Sequence, residues 1–391
     1  MEIQNKSKAK LVVSGLIPFA FLIAMIAYIF GPGSDLIGLG VSIPQITIEK
    51  VEFLDSEIDA TIRNTGPLPV NIAVADVNDR MQPATIEPDK HLERFETAVV
   101  RIPFLWNVAE PYTIGITTDD GVRFEKEIKA ASPSLRPNLE LTGFFAVIGT
   151  YVGIIPILIG LLWLPFIKRI SKSKYHFFLA LTVGLLLFLG IDATNEALDV
   201  SKENLASSFN GVLLVATVVL LSFLALYYTG ERLVKNATSS SLTKPVAVAL
   251  MIAIGIGLHN FGEGLAIGAA VGLGQVALST FLIVGFTIHN TTEGIAIASP
   301  IAKGKPVIRL LAGLGILAGA PAIFGSWVGG FVYSPFTAIV FLSIGAGAIF
   351  QVIVILIRWL QEEGDKKLSS AAVVSGLAIG MIVMYLTSIL I

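Results

Sequence analysis

Apolar stretches long enough to cross a lipid bilayer recur along most of this chain of 391 residues. A helix needs about 20 mostly apolar residues to span the hydrocarbon core of a membrane. Charged residues make up 14% of the sequence, whereas an ordinary soluble domain contains about 25%. The sequence therefore predicts an α-helical polytopic membrane protein.

The first apolar stretch covers residues 11–30 and follows a short basic segment. It is longer than the apolar region of a signal peptide, which has about 7–15 residues, and no cleavage site with small residues follows it. We therefore interpret residues 1–32 as a cytoplasmic tail and a membrane anchor helix that is not cleaved. A cleaved signal peptide is the alternative.

Residues 33–137 have a different character, because apolar and polar residues alternate there. In EIDATI, for example, Ile58, Ala60 and Ile62 share one face of a strand. The sequence DDG at 119–121 is typical of a hairpin turn. About seven short strands in about 100 residues predict a small immunoglobulin-like β-sandwich.

Eight further apolar stretches predict a compact helical bundle over residues 138–391, because the connections between them are short. The predicted spans are 141–167, 175–194, 209–229, 246–270, 276–299, 308–333, 337–359 and 369–390. With the N-terminal helix, this gives an eight-helix bundle plus one additional membrane helix.

The basic residues predict the orientation of these spans, because cytoplasmic loops of membrane proteins are enriched in Lys and Arg. With a cytoplasmic N-terminus, every loop on the cytoplasmic side is basic, and Lys202 is the exception on the other side. The basic positions are Lys6, Lys8, Lys10, Lys168, Arg169, Lys172, Lys174, Arg232, Lys235, Lys244, Lys303, Lys305, Arg358, Lys366 and Lys367. We predict a multi-pass protein of the cell membrane, with the β-sandwich and the C-terminus on the extracytoplasmic side.

Two features of the composition restrict the function. The chain has no cysteine, so a metal can be bound only by His, carboxylate or amide groups. The formal net charge of −2 argues against a nucleic-acid partner.

Two copies of the motif His-Asn-x-x-Glu-Gly lie in the fourth and fifth of the eight spans. They are GLHNFGEGLAIGAA at 257–270 and TIHNTTEGIAIASP at 287–300. Side chains four residues apart lie on the same face of a helix, so the His and Glu of each copy share a face. His259 and His289 each lie 15 residues from Gly274, in the loop that joins the two helices. An antiparallel hairpin therefore brings both imidazoles to the same depth, near the middle of the membrane.

Two imidazoles and two carboxylates form a set of ligands that suits a divalent cation. We predict that His259, Glu263, His289 and Glu293 bind Zn²⁺, with Fe²⁺ or Mn²⁺ as alternatives. An unpaired carboxylate at the centre of a bilayer costs at least about 2.5 kcal/mol, and a bound cation or a proton relieves that cost. The alternative is that these polar residues only hold the helices together.

The paired motifs resemble those of the ZIP (Zrt/Irt-like) family of divalent-metal transporters, which carry His-Asn-x-Pro-Glu-Gly in the fourth and fifth of eight helices. The resemblance covers residues 140–391 and implies a ZIP-like bundle, a homodimer and import of the metal. It implies that the four His and Glu residues form the primary metal site and that Asn260 and Asn290 are secondary ligands. LFLGIDATNEALD at 187–199 also resembles the family's second helix with its acidic outer end.

The sequence departs from the family pattern in several places. Gly262 and Thr292 occupy the positions of the motif proline. Ala320 precedes Pro321 in the sixth span, where the family commonly has a Glu-Pro pair that supplies a second metal site. The anchor helix and the β-sandwich are additions to the family core.

We predict a divalent-metal transporter rather than an enzyme, with no prosthetic group, the cation and the lipid bilayer as partners, and an unidentified partner for the β-sandwich. One alternative is a membrane metal sensor or receptor that signals through the β-sandwich. Another is an intramembrane metallohydrolase, although Asn260 and Asn290 stand where the general base of a His-Glu-x-x-His site would be. Acidic residues near the end of the second span either attract cations to an entrance or belong to a solvated loop. They are Asp192, Glu196, Asp199 and Glu203.

Overall fold

The computed structural model describes residues 16–17, 20–28, 44–134, 136–205, 210–236, 243–304, 307–363 and 370–389. Residues 16–17 and 20–28 are helical, as predicted for the anchor. The remainder of the predicted anchor lies outside the described residues. Six of the basic residues used to predict the orientation also lie outside them: Lys6, Lys8, Lys10, Lys305, Lys366 and Lys367.

Eight helices in the described part of the chain are long and apolar enough to cross a membrane, which confirms that the eight predicted segments are helical. They are α1 (Leu139–Ile167), α2 (Lys172–Asn204), α3 (Gly211–Lys235), α4 (Lys244–Gly272), α5 (Val276–Ile301), α6 (Ile308–Phe331), α7 (Pro335–Glu362) and α8 (Ala371–Ile389).

Two of these helices differ from the prediction in ways that matter for the site. Helix α2 continues to Asn204, so the acidic residues after position 191 lie on a helix, and the alternative that they belong to a loop does not hold. Helix α6 consists of two pieces, Ile308–Gly319 and Pro321–Phe331. They meet at Pro321 because proline has no N–H group for the helical hydrogen bond.

The helices pack as two groups of four. In the first group, α5 contacts α1 and α4, and α6 contacts α1 and α4 as well. In the second group, α2 contacts α7 and α8, and α3 contacts α7. The groups meet mainly through α4 and α7. We refer to α1, α4, α5 and α6 as the first helix group and to α2, α3, α7 and α8 as the second helix group.

The packing has an internal regularity. The contacts are preserved when each helix is exchanged for a counterpart: α1 for α6, α2 for α7, α3 for α8 and α4 for α5. Under this exchange the contact of α1 with α5 becomes that of α6 with α4, and the contact of α2 with α8 becomes that of α7 with α3; all four contacts are present. The same exchange converts the contact of α4 with α7 into that of α5 with α2, which is also present. Such a correspondence between two halves of a bundle is typical of membrane proteins built from internal repeats.

Residues 44–134 form a small antiparallel β-sheet domain. Its nine strands in the described residues form two sheets, with the orders β1-β2-β7-β5 and β4-β3-β8-β9, and β6 pairs with β3. Their bounds are β1 Ile46–Leu54, β2 Glu57–Asn64, β3 Val70–Val77, β4 Arg80–Gln82, β5 Thr85–Glu87, β6 His91–Leu92, β7 Thr97–Pro103, β8 Tyr112–Thr118 and β9 Arg123–Ile128. The hairpin predicted at 119–121 joins β8 and β9.

One apolar core joins the two sheets. Ile58 and Ile62 from β2 pack in the same buried cluster as Ile114 and Ile116 from β8. The alternation that predicts β2 is confirmed, since its residues are alternately buried and partly exposed. The short strands β4, β5 and β6 were not predicted, because two or three residues are too few to show alternation.

The β domain lies against one end of the helical bundle. Ser132 lies so close to Gly274, in the turn between α4 and α5, that a side chain at Gly274 would collide with it. Glu203, at the end of α2, is near Lys126 of β9. We refer to the helix ends at Asn204, Gly272 and Val276 as the β-domain end of the bundle.

Asp59, on the outward face of β2, provides a test of the β domain. Burial raises the pKa of Asp59 to about 6, and the charge of Glu57 adds to this effect. The ordinary value is 3.8, so the folded domain binds this proton more tightly than the unfolded chain, and stability falls as the pH rises through about 4 to 6. Asp59→Asn should therefore stabilise β2 at pH 7 by on the order of 1 kcal/mol or less, since the site is partly exposed, and should have little effect at pH 4.

Hydrogen exchange of the β1 and β2 amides, measured at each pH for the unchanged protein and for Asp59→Asn, gives this difference in stability. An equal effect of Asp59→Asn on stability at pH 4 and pH 7 would contradict the raised pKa of Asp59.

Candidate metal site

The two motifs face each other at the middle of α4 and α5. His259 is the sixteenth residue of α4 and His289 the fourteenth of α5, counted from Lys244 and Val276. Their ring centroids lie 6.3 Å apart. The structure thus brings His259, Glu263, His289 and Glu293 together, and all four side chains are buried. The two imidazoles are therefore neighbours across the α4–α5 hairpin, and their equal depth in a membrane stays a prediction.

Glu263 connects the two helices. One carboxylate oxygen, Oε1, lies 3.0 Å from Nε2 of His259 and contacts Nε2 of His289. The other oxygen, Oε2, accepts a hydrogen bond of 3.0 Å from Nδ2 of Asn290. This carboxylate therefore has partners from both motifs.

Glu293 is in the opposite situation. It is 1% exposed, and neither of its carboxylate oxygens meets a hydrogen-bond donor with suitable geometry among the described residues, although the Asn260 side chain lies beside it. A ligand atom from each of His259, His289 and Glu293 lies within 4.8 Å of the others. A buried carboxylate without donors is costly unless a cation or a proton neutralises it.

The donor set fits a divalent cation. A tetrahedral zinc ion bound at about 2.0–2.2 Å holds its ligand atoms about 3.3–3.6 Å apart. The ligand atoms of His259, His289 and Glu293 lie within 4.8 Å of one another, so these three side chains must move inward by about 1 Å on binding.

The two motif asparagines hold neighbouring helices. Nδ2 of Asn290 donates to the carbonyl of Val152 on α1 at 3.1 Å, and Nδ2 of Asn260 donates to the carbonyl of Ala318 on α6 at 3.0 Å. Both carbonyls lie at irregularities: Val152 is in a π-helical turn four residues before Pro156, and Ala318 is in the last turn before the break in α6. Proline removes an N–H from the helix, so side-chain donors are needed there.

The predicted role of Asn260 and Asn290 as secondary ligands stays a prediction. Their Oδ1 atoms are buried and have no hydrogen-bond partner among the described residues, so a carbonyl oxygen of each remains open to a cation. The role in helix packing was missed from the sequence. The prolines at 156 and 321, each in an otherwise apolar span, were the signal that could have indicated it.

A cavity reaches the site from the β-domain end. A small space of about 30 Å³ is lined by His259, Glu263, Asp192 and Glu196. Next to it, a cavity of about 400 Å³ is lined by His289 and by the acidic residues of α2. The structure thus brings four carboxylates to the side of the site that faces the β domain. They are Asp192, Glu196, Asp199 and Glu203.

A second cavity opens at the opposite end of the bundle. It has a volume of about 900 Å³ and lies between α3, α4 and α7. Gln351 lines it and is buried, and Oε1 of Gln351 has no hydrogen-bond partner among the described residues. The α4 glycine at position 255, one turn from His259, lies against this oxygen. The second cavity therefore ends about one helical turn from the site.

No protein-family model matches this chain, and no curated protein matches it. The resemblance to the ZIP family accordingly stays a prediction.

Proposed function

We propose that the protein transports divalent metal cations across the membrane, with zinc preferred over iron and manganese. The observation that carries this proposal is the cluster of two imidazoles and the Glu293 carboxylate at the middle of two candidate membrane helices, with the Glu263 carboxylate in contact with both imidazoles. Among the described residues, the carboxylate oxygens of Glu293 have no hydrogen-bond donor with suitable geometry. Two nitrogen and two oxygen ligands suit zinc, and also suit Fe²⁺ and Mn²⁺.

Cavities on both sides of the site provide the path. The acidic cavity at the β-domain end attracts cations, and the larger cavity at the opposite end provides an exit one helical turn from the site. A sensor that only binds metal needs one access route, whereas a transporter needs two. The two cavities are also related by the internal regularity of the bundle, since α2, α5 and α8 line the first, and α7, α4 and α3 line the second.

The arrangement of the helix groups indicates how access alternates. All six predicted site residues belong to α4 and α5 of the first helix group, while α2 and α7 of the second group line the cavities. A movement of one group against the other therefore opens the site to one side and closes it to the other. This movement preserves the ligand set itself.

Two finer features of the fold belong to the same proposal. The eight helices form a ZIP-like bundle, which the position of the motifs in α4 and α5 supports. The β domain is an immunoglobulin-like sandwich. Its first sheet, β1-β2-β7-β5, corresponds to the strand order A-B-E-D of that fold. Its second sheet, β4-β3-β8-β9, corresponds to the order C′-C-F-G.

Uptake into sealed vesicles tests the function. The purified chain, inserted in liposomes that contain a zinc-sensitive dye, should admit zinc with a rate that saturates with concentration, whereas liposomes without protein should not. Parallel measurements with Fe²⁺ and Mn²⁺ establish the order of preference. Tight zinc binding without uptake would favour the sensor or receptor alternative.

The orientation is the second part of the proposal: the β domain is extracytoplasmic, in the cell membrane. Because the chain has no cysteine, a single introduced cysteine can be labelled selectively. Asp120→Cys, in the exposed turn between β8 and β9, should react with a membrane-impermeant thiol reagent on right-side-out vesicles. Lys303→Cys, between α5 and α6, should react only after permeabilisation. The reverse pattern would exclude this orientation.

A further inference from the structure

The β domain touches the bundle at the level where the helices end. Ser132 contacts the turn between α4 and α5 at Gly274, and Ser134 borders a small cavity together with Gly272 and Tyr333 at the ends of α4 and α6. The linker around residue 132 therefore lies at the height of the membrane surface if α4 and α5 cross the bilayer.

The loop between β7 and β8, residues 104–111, is fixed to this linker. The N–H of Ala109 donates to the carbonyl of Ala131 at 2.8 Å, and the N–H of Ala131 donates to the carbonyl of Glu110 at 2.9 Å. The indole N–H of Trp106 donates to the carbonyl of Leu54. These bonds hold the β7–β8 loop at the same height as the helix ends.

The β7–β8 loop presents apolar side chains that contact neither the β domain nor the bundle extensively. Leu105 is 81% exposed and Val108 is 64% exposed. Another turn at this end of the domain, between β3 and β4, carries the polar residues Asn78 and Asp79 instead. The apolar character therefore belongs to this loop and is not a general property of this end of the domain.

We propose that the β7–β8 loop inserts Leu105 and Val108 into the interfacial layer of the lipid bilayer and so anchors the β domain on the membrane surface. We expect lipid to cover these two side chains because the loop lies at the level where the membrane helices begin. Leu139, the first residue of α1, lies seven residues after Ser132 and is 90% exposed. Apolar residues on a loop at this height reach the boundary between head groups and acyl chains, where Trp is also favoured. The proposal requires α1–α8 to cross the membrane and does not depend on metal transport.

Fluorescence quenching tests the insertion in the full chain. Leu105→Cys and Leu68→Cys each receive an environment-sensitive fluorophore; Leu68 is also exposed, at 45%, but lies between β2 and β3 at the other end of the domain. In phosphatidylcholine vesicles, a lipid with a nitroxide near the head of its acyl chain should quench the label at position 105 several-fold more than the label at 68. Aqueous iodide should quench in the opposite order.

Equal quenching by iodide at both positions would overturn the proposal. Shielding of position 105 from both quenchers would also overturn it, and would indicate a second copy of the chain as the occupant if the shielding disappears at a low ratio of protein to lipid. Val108→Cys repeats the measurement, so that a folding defect of one variant does not decide the result.

Discussion

Glu293→Gln is expected to lower the rate of zinc uptake by about 100-fold or more. The substitution keeps the size of the side chain but removes one of the two carboxylate charges that offset the charge of the cation. Loss of a residue that merely supports a metal ligand already lowers affinity about 10–100-fold, and Glu293 is proposed to contact the metal directly. His259→Ala and His289→Ala should have effects of similar size, because each removes a nitrogen ligand.

The matched control is Glu140→Gln, which makes the same chemical change at an exposed residue near the start of α1. It should leave uptake and zinc affinity unchanged. Uptake into vesicles and calorimetric zinc titration measure the effect, and thermal unfolding establishes that each variant folds. A folded Glu293→Gln chain that transports zinc at the rate of the unchanged protein would contradict the assignment of the site.

Crosslinking the two helix groups is expected to stop transport almost completely. Nζ of Lys244, at the start of α4, lies 2.9 Å from a carboxylate oxygen of Glu362, at the end of α7. The pair joins the first helix group to the second at the end opposite the β domain. A short bifunctional thiol reagent applied to Lys244→Cys/Glu362→Cys should therefore prevent the movement that exposes the site to alternate sides.

An ion pair within the second helix group provides the control. Arg358 of α7 contacts Glu231 of α3 at the same end of the bundle. The same reagent applied to Glu231→Cys/Arg358→Cys should leave uptake at the rate that this variant shows before crosslinking. Undiminished uptake after verified crosslinking of positions 244 and 362 would show that the two groups do not move against each other there.

The length and number of the helices were predictable because they depend on local sequence. A run of about 20 apolar residues is stable in a bilayer only as a helix, and the alternation in β2 likewise predicts one buried face. The end of α2 was not predictable in this way. Its last turns contain Glu196, Asp199 and Glu203. A polar stretch of this kind is compatible with either a helix or a loop, and only the tertiary structure shows that these residues line a cavity.

The pairing of His and Glu within each motif was also a local property, since residues four apart share a helix face. The facing of the two motifs was predicted only because a short loop forces α4 and α5 to be antiparallel neighbours. The different environments of Glu263 and Glu293 were not predicted. Glu263 contacts both imidazoles, while Glu293 meets no hydrogen-bond donor with suitable geometry in the part of the chain that the structure describes. The two residues nevertheless occupy the same position in their motifs.

The sequence by itself determined that this chain has eight apolar helices, a β domain before them, and two His-Glu pairs at matching depth, because each of these follows from the spacing of residues along one segment. Only the tertiary structure decided that Asn290 holds α1, that Asn260 holds α6, and that the acidic end of α2 lines the access to the site. The rotation of each helix about its axis and its choice of neighbours depend on contacts between segments far apart in the chain. The spacing within a single segment contains no information about those contacts.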